Sequence, residues 1–117
     1  MRHGVKGKKF HRMRGQRQAF MRNLANDLIR TGRIETTEAR AKAIRPLVER
    51  LVSIAKKQDL SARRLLISRT NSKLLTARLL EEIAPRYTER PGGYLRINKL
   101  MKRKKRDGSQ LAVIEFV

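Results

Sequence analysis

The sequence lacks cysteine and tryptophan, and its only aromatic residues are three Phe and two Tyr among 117 residues. Without cysteine the chain can form no disulfide, no thiolate nucleophile and no cysteine-based zinc site, which fits a reducing compartment. With so few aromatic side chains, base stacking cannot be a main mode of binding, as it is in proteins that bind single-stranded nucleic acids. Folding must therefore depend on the packing of aliphatic side chains.

Long apolar segments are also missing. No apolar run approaches the roughly 20 residues that a transmembrane helix needs, and the N-terminus lacks the apolar centre of a secretory signal. A basic N-terminus could also belong to a mitochondrial transit peptide, but such peptides are amphipathic helices, which Gly4, Gly7 and Gly15 disfavour. We therefore predict a cytoplasmic protein that has no membrane partner.

Acidic residues are scarce: 10 Asp and Glu stand against 30 Lys and Arg, for a formal net charge of +20. Such a charge density repels itself unless an anionic partner neutralises it. Release of counterions from a phosphate backbone is the main source of affinity for such a surface, and it carries no sequence preference. The composition predicts a nucleic-acid partner but leaves open which nucleic acid is bound.

Two segments hold many basic residues and no acidic ones. Residues 1–22 contain eight Lys or Arg, and residues 99–106 contain six. Because no short-range ion pair can neutralise them, we predict that both segments bind phosphate, although a solvated charged face is the alternative. The predicted RNA-binding residues of these segments are Arg2, Lys6, Lys8, Lys9, Arg12, Arg14, Arg17, Arg22, Lys102, Arg103, Lys104, Lys105 and Arg106. Elsewhere, a spacing of four residues predicts the ion pairs Glu38 with Lys42, Arg45 with Glu49, and Arg78 with Glu82.

Apolar residues at helical spacing predict four helices. The first covers residues 16–31 and ends at Gly32, and the second covers 38–57 behind the N-cap Thr37. Pro46 inside the second helix predicts a kink or a restart. A short third helix follows Asp59 or Ser61, and a fourth covers 73–84 between Asn71 or Ser72 and Pro85. Its predicted buried face consists of Leu74, Leu75, Leu79, Leu80 and Ile83.

Three segments predict β-strands: residues 33–37, residues 94–101 with a period of two, and residues 111–117. Asp107 and Gly108 favour a hairpin turn between the last two strands. We therefore predict one domain over residues 1–117, with a basic RNA-binding arm at 1–15. The α+β core covers 16–117 and carries a basic hairpin loop at 99–109.

No pattern in the sequence indicates catalysis. His3 and His11 are the only imidazoles, and a ribonuclease that uses both for acid–base cleavage is one alternative, although the sequence provides no rigid scaffold beneath them. A DNA-compacting nucleoid protein is the other alternative. Because no nucleophile constellation, metal-ligand cluster or phosphate-loop motif is present, we predict no enzyme activity, no cofactor, no metal and no small-molecule substrate.

The remaining basic and aromatic residues leave their roles open. Arg63, Arg64 and Arg69, and likewise Arg86, Arg90 and Arg96, either face phosphate or only increase solubility. Phe10 and Tyr94 occupy positions from which they could stack on a base. Phe20 and Phe116 lie on apolar stripes, which predicts that they belong to the core.

Short motifs along the chain match a known family. They are Met1-Arg2-His3, Arg17-x-Ala19, Arg22-Asn23, Thr36-Thr37 with Ala41-Lys42, Ala62-Arg63-Arg64-Leu65, Pro85-Arg86-Tyr87 with Arg90, and Gly92-Gly93-Tyr94-x-Arg96. In the order and spacing of these motifs, the sequence resembles the family of bacterial large-subunit ribosomal protein seventeen over essentially its whole length.

The resemblance implies an α+β fold of order α-β-α-α-α-β-β, with the helices on one side of a small mixed three-stranded sheet. It also implies a structural role in binding large-subunit ribosomal RNA near the peptide tunnel exit, beside other large-subunit ribosomal proteins. Carried onto the matching positions, it makes candidate RNA contacts of Arg2, His3, Arg17, Arg22, Arg63, Arg64, Arg90, Tyr94 and Arg96. The expected function is non-enzymatic: basic side chains neutralise RNA phosphates and thereby stabilise the folded RNA.

Overall fold

A computed structural model of the protein describes Phe10 and residues 12–117. The elements, in chain order, are α1 (Arg14–Thr31), β1 (Arg33–Thr37), α2 (Glu38–Ala55), α3 (Leu60–Thr70), α4 (Lys73–Arg78), β2 (Leu95–Arg103) and β3 (Gln110–Phe116). A π-helical turn, Leu79–Ile83, and a 3-10 helix, Ala84–Tyr87, continue the winding of α4. The α+β class and the predicted order of elements are confirmed.

The junctions around β1 follow the local chemistry of the sequence. Gly32 ends α1 in a left-handed conformation with φ of 83°, and its N–H donates to the Leu28 carbonyl at 2.7 Å. The Thr37 hydroxyl then accepts from the Arg40 N–H at 3.3 Å and caps α2. The start of α1 differs from the prediction: the helix begins at Arg14, two residues earlier than expected.

Helix α2 runs without interruption through Pro46, so the predicted restart does not occur. Proline removes one backbone donor, yet the chain is helical on both sides of Pro46. Ile44 and Val48, on either side of Pro46, are completely buried, and so is Ala55 at the end of the helix. The burial of the apolar stripe therefore outweighs the lost hydrogen bond.

The caps of the next two helices settle the alternatives left by the sequence. Asp59 caps α3 by accepting from the Ala62 N–H at 2.7 Å, and Ser72 caps α4 by accepting from the Leu75 N–H at 3.2 Å. The predicted buried face of α4 is wrong at Leu74, which is 79% exposed. A threonine, Thr76, is buried instead, because α4 is rotated so that this side chain packs inward.

The predicted end of the fourth helix at Pro85 is also wrong. The regular α-helix ends at Arg78, and the π-helical turn follows with the Ala84 N–H donating to the Leu79 carbonyl. Proline has no N–H, so the chain cannot continue this hydrogen-bond ladder at Pro85. It tightens into the 3-10 helix, in which Pro85 occupies an early position where no donor is needed.

The sheet has the strand order β1-β3-β2, and both pairings are antiparallel. The predicted mixed sheet is therefore wrong. Strands β1 and β2 do run in the same direction, but β3 lies between them, so no parallel pair forms. The helices pack on one face of this sheet, where Ile34, Ile114 and Ile97 lie side by side across the three strands.

Two apolar clusters share α2. One joins its N-terminal half to α1 and the sheet, and the other joins its C-terminal half to α3, α4 and the two tyrosines. The hairpin between β2 and β3 is shorter than predicted, because β2 continues to Arg103. Gly108 turns the loop with φ of 69°, which confirms the predicted turn position.

Candidate nucleic-acid interface

The basic side chains divide into those that have a carboxylate partner and those that do not. In the described part of the chain, the ion-paired basic residues are Arg30, Arg33, Lys42, Arg45, Arg78, Arg96, Lys99 and Lys102. The three helix pairs predicted from a spacing of four residues are all present. The distribution of the other basic residues therefore locates the uncompensated charge.

The sheet places carboxylates between its basic side chains. Glu115 of the central strand lies 3.2 Å from Arg96 Nε on one neighbouring strand and 3.7 Å from Arg33 Nε on the other. Lys102 Nζ lies 3.0 Å from Glu35 Oε1. Exposed pairs of this kind contribute at most about 1 kcal/mol each to stability. They nevertheless neutralise much of the positive charge on this face.

Glu38, at the start of α2, binds two lysines. Its Oε1 lies 2.7 Å from Lys42 Nζ and 3.5 Å from Lys99 Nζ. The hydrogen bond from Lys42 lowers the pKa of Glu38 from its usual value, and the charge of Lys99 acts in the same direction, whereas partial burial opposes both. Residues 99–106 have no short-range acidic partner, as the sequence shows, but carboxylates from distant positions bind Lys99 and Lys102.

The tip of the hairpin keeps its charge. Its exposed basic residues, which form no ion pair in the described part of the chain, are Arg103, Lys104, Lys105 and Arg106. Asp107 is adjacent, but its Oδ1 accepts from the Ser109 N–H at 3.0 Å, and this hydrogen bond lowers the pKa of Asp107. The carboxylate therefore shapes the turn, while the four basic residues stay exposed and without a carboxylate partner among the described residues.

A cleft of about 540 Å³ opens between α1, α2 and the end of α3. Its walls are Gln18, Met21, Arg22, Ala25 and Asn26 of α1 and Ala43, Pro46, Leu47, Arg50 and Leu51 of α2. In both helices these positions follow the spacing i, i+3, i+4, i+7, i+8, which defines one helix face. Ser68 and Arg69 of α3 also line the cleft. The cleft, which we call the α1–α2 cleft, is therefore formed by two facing helices.

Three arginines and no acidic residue line the α1–α2 cleft. Arg22, Arg50 and Arg69 form no ion pair with any carboxylate of the described residues. Between them, Pro46 is exposed and Leu47 is half-buried, so part of the wall is apolar and accessible. The cleft combines an apolar surface with uncompensated positive charge.

The charged rim extends along two helices. Arg14 and Arg17 lie one turn before Gln18 and Met21 on α1, and residues four apart are neighbours on a helix surface. By the same spacing, Arg64 lies one turn before Ser68 on α3. The predicted RNA-binding residues of α1 therefore lead into the α1–α2 cleft.

The start of the described chain is fastened to α1 by aromatic contacts. The Phe10 and Phe20 rings meet edge to face at 5.5 Å, and the Arg12 guanidinium lies 3.9 Å from the centre of the Phe20 ring. Arg40 of α2 approaches the same ring at 5.1 Å. Phe20 is half-buried and acts as a platform for two arginines, instead of the core residue that the sequence predicts.

Tyr94 is 1% exposed, so the prediction that it contacts RNA is wrong for this conformation. Its ring packs at 5.1 Å from Tyr87, and its hydroxyl lies 3.4 Å from Ser53 Oγ and 3.1 Å from Lys56 Nζ. The hydrogen bond with Ser53 lowers the pKa of Tyr94. Because Lys56 Nζ also donates to the Arg90 carbonyl at 2.5 Å, this network holds the turn before β2.

The other predicted residues are scattered. Arg63 and Arg64 are exposed on α3, Arg90 is exposed in the turn before β2, and Arg96 binds Glu115 on the sheet. The predictions for Arg2, His3, Lys6, Lys8 and Lys9, and for the ribonuclease alternative with His11, lie outside the described residues.

Two cleft arginines do not stand out in the sequence. Arg50 belongs to none of the motifs, and Arg69 belongs to the group with Arg63 and Arg64, for which the sequence leaves the role open. The signal that could have found Arg50 is its spacing from Ala43, Pro46 and Leu47, which places it on the same face of α2. No sequence pattern links it to Arg22, because the two residues lie on different helices.

Two other kinds of site are absent from the described part of the chain. No group of three or more His, Asp or Glu residues there could hold a metal ion. Among the same residues, no helix is long and apolar enough to span a membrane.

Comparison with known proteins identifies the family. Residues 20–117 match the model of the family described as ribosomal protein L17. A protein of Persephonella marina, named large ribosomal subunit protein bL17, is 56% identical over 119 aligned residues that cover all of this chain and 95% of the relative. Proteins of the same name from Hydrogenobaculum and Thermus thermophilus are 51% and 44% identical, and each alignment covers all of this chain and 99% of the relative.

These relatives are named as ribosomal proteins and not as enzymes, in agreement with the prediction that the chain has no catalytic activity. The match covers most of the chain, and the identities extend over its full length. The family inferred from the motifs is confirmed. The chain belongs to the ribosomal protein L17 family.

Proposed function

We propose that the protein is a structural component of the large ribosomal subunit, where it binds and stabilises large-subunit ribosomal RNA. Its relatives are named as proteins of that subunit, and its net charge of +20 needs a polyanion. The observation that carries the proposal is the uneven placement of carboxylates. They neutralise basic residues on the sheet and leave those of the α1–α2 cleft and of the hairpin tip uncompensated.

The proposed mode of binding is neutralisation of phosphates by side chains held on a rigid scaffold. Proteins recognise helical RNA mostly by its shape, through contacts to phosphates and 2′-hydroxyls. Arg14, Arg17 and Arg22 on α1 and Arg63 and Arg64 on α3 are the phosphate contacts that we propose for the folded part. Arg90, in the turn before β2, and the hairpin tip add to them, and Arg96 contributes least because Glu115 already binds it.

The basic arm at residues 1–15 and the position of the protein complete the proposal. The Lys and Arg residues of the arm, which contains no acidic residue, are the further phosphate contacts that we propose. By resemblance to the family, we place the protein near the peptide tunnel exit, next to other large-subunit ribosomal proteins. Protein crosslinking in assembled large subunits tests this placement. Crosslinks only to proteins that lie far from the tunnel exit would contradict it.

Binding of the full chain to protein-free large-subunit ribosomal RNA over a range of salt concentrations tests the proposal. The variant R17Q/R63Q/R64Q removes three uncompensated charges. The matched control R30Q/R33Q/R45Q removes three charges that are ion-paired. The slope of log affinity against log salt is negative, and each lost phosphate contact reduces its magnitude by about 0.7 to 0.9. We therefore expect the magnitude of the slope to decrease by about 2 for the first variant and by much less for the control.

Two outcomes would contradict the proposal. One is an equal loss of slope in both variants, which would mean that only the net charge matters. The other is stronger binding to duplex DNA of equal length than to ribosomal RNA, together with absence of the chain from isolated large subunits. That second outcome would favour the nucleoid protein.

A further inference from the structure

We propose that the α1–α2 cleft holds one nucleobase extruded from the ribosomal RNA, with the phosphates next to that nucleotide bound by Arg22, Arg50 and Arg69. This inference rests on the proposed function and names a binding subsite within it. It assigns an insertion site to a protein that otherwise contacts RNA along its surface.

The shape and chemistry of the cleft fit a base. Its volume of about 540 Å³ lies in the range of small-molecule sites, which is about 300 to 1,000 Å³. The accessible wall carries Met21, Pro46 and Leu47, which can cover the flat apolar faces of a base. Gln18 and Ser68 also line the cleft and are exposed, and both side chains can donate and accept hydrogen bonds at the base edge.

The charge at the cleft selects a nucleic acid over other apolar ligands. Three guanidinium groups line the cleft, and each can bind a phosphate through two parallel hydrogen bonds. A second cleft of about 570 Å³, on the side of the hairpin, is lined by Arg40, Lys42 and Lys104 but also by the carboxylates of Glu38 and Asp107, and Glu38 already binds Lys42. The two clefts are similar in volume, and of the two only the α1–α2 cleft combines an apolar wall with a rim free of acidic residues.

Single-stranded loops and bulges provide such bases. Proteins that recognise these parts of RNA bind bases that have left the helical stack, and they cover the faces of those bases with side chains. The alternative occupant is a segment of another protein that carries an apolar residue next to acidic ones. We favour RNA because all three arginines of the rim lack an internal partner among the described residues, as do the neighbouring Arg14 and Arg17.

Filling the cleft tests the inference without removing charge. Ala43→Trp places an indole on the α2 wall, and Ser68→Trp places one on the α3 side, where the exposed serine can be replaced without disturbing the core. Ser61→Trp is the matched control, because Ser61 is exposed on the same helix and does not line the cleft. Circular dichroism and thermal unfolding establish that each full-length variant is folded.

Protein-free large-subunit ribosomal RNA is the probe for these variants. We expect Ala43→Trp and Ser68→Trp to weaken binding by about tenfold with an unchanged salt slope, because Arg22, Arg50 and Arg69 remain at the rim and still bind phosphates of the displaced strand. Ser61→Trp should bind like the wild type. The charge variant R22Q/R50Q/R69Q should instead lower the slope by about 2, compared with its control R30Q/R33Q/R45Q.

Chemical probing of the RNA with base-specific reagents provides a readout that a general loss of affinity would not change. At saturating protein, one or two bases should be protected by the wild type and by Ser61→Trp, and the same bases should stay reactive with Ser68→Trp. Equal protection by all three proteins would overturn the inference, as would binding of both cleft-filling variants with wild-type affinity.

The outcomes also separate this inference from the proposed function. If the wild type itself fails to bind the RNA in a salt-dependent way, the proposed function is wrong. If the wild type binds and the cleft-filling variants bind equally well, only the base insertion is wrong. If Ser68→Trp binds free RNA normally but fails to join particles assembled with the other large-subunit proteins, a protein segment occupies the cleft, which also overturns the inference.

Discussion

The sheet and the α1–α2 cleft are both rich in basic residues, yet they differ in what lies between those residues. On the sheet, Glu35 and Glu115 bind Lys102, Arg33 and Arg96. In the α1–α2 cleft, three arginines line the walls and no carboxylate does. The comparison shows that net charge predicts a polyanionic partner, whereas the placement of the few carboxylates decides which surface is free to bind it.

The physical reason lies in the competition between carboxylate and phosphate. A basic side chain already bound to a carboxylate must give up that contact before it binds phosphate, so it contributes less to affinity and to its salt dependence. A basic side chain without a partner gains the full release of counterions from the RNA. Variants of the two regions should therefore differ in how much they change the salt dependence of RNA binding.

The largest effect is expected from deletion of residues 1–14, which carry six Lys and Arg and no acidic residue. The salt slope for binding to large-subunit ribosomal RNA should fall by about 4 to 5, and affinity at physiological salt by on the order of a hundredfold. The helical signal in circular dichroism should remain, because the buried residues of α1 begin at Ala25. An unchanged salt slope would show that the arm makes no phosphate contacts with the RNA.

A smaller loss is expected at the hairpin tip. Replacement of residues 103–106 by Ser should lower the salt slope by about 3. Extending the replacement to Lys102 should change the slope little further, because Lys102 is bound to Glu35 at 3.0 Å. A further decrease of nearly one unit would show that ion pairing does not withhold a lysine from RNA. Unfolding of the variant would show that the hairpin tip is structural.

The helices that form the cleft depend on a polar contact, so Asn26→Ala should affect stability. Asn26 Nδ2 donates to the Thr70 carbonyl at 3.0 Å and joins α1 to the end of α3. Loss of this hydrogen bond should lower the free energy of unfolding by about 1 kcal/mol in urea denaturation. Asn23→Ala, at an exposed position of the same helix, is the control and should cost less. Equal free energies of unfolding for the two variants would mean that the hydrogen bond between Asn26 and Thr70 does not contribute to stability.

The smallest effect concerns the ion pairs near the sheet and depends on pH. Because Lys42 lowers the pKa of Glu38 in the folded state, this carboxylate stabilises the fold above its unfolded pKa of about 4.5, and the contribution disappears as pH falls through the lower folded value. Glu38→Gln should therefore be less stable than the wild type near neutral pH. Thermal unfolding should show the difference shrinking below about pH 4.5.

Glu81→Gln is the control for this pH dependence, since Glu81 is exposed and forms no ion pair among the described residues. Near neutral pH it should be more stable than Glu38→Gln, because no ion pair among the described residues is lost. A stability difference that grows on acidification for Glu38→Gln would contradict a stabilising role of the ionised Glu38 carboxylate.

Local signals predicted the fold well and failed where several elements compete for the same space. Gly32, Thr37 and the Asp107 turn act on neighbouring backbone groups, so their positions could be inferred from the sequence. The burial of Tyr94 could not, because it depends on Ser53 and Lys56, about 40 residues away. The exposure of Leu74 could not be inferred either, since an apolar stripe does not reveal how a short helix is rotated.

The candidate interface divides in the same way. Its charge and its two acid-free segments are properties of the sequence, because basic residues that are neighbours along the chain stay close together in any fold. The pairing of Lys102 with Glu35, and the meeting of Arg22, Arg50 and Arg69 around one cleft, join residues that are far apart in sequence. The sequence by itself thus determined the family and the order of elements, and it predicted a polyanionic partner. Only the tertiary structure decided which positive charges remain uncompensated, because electrostatic neutralisation depends on distance in space.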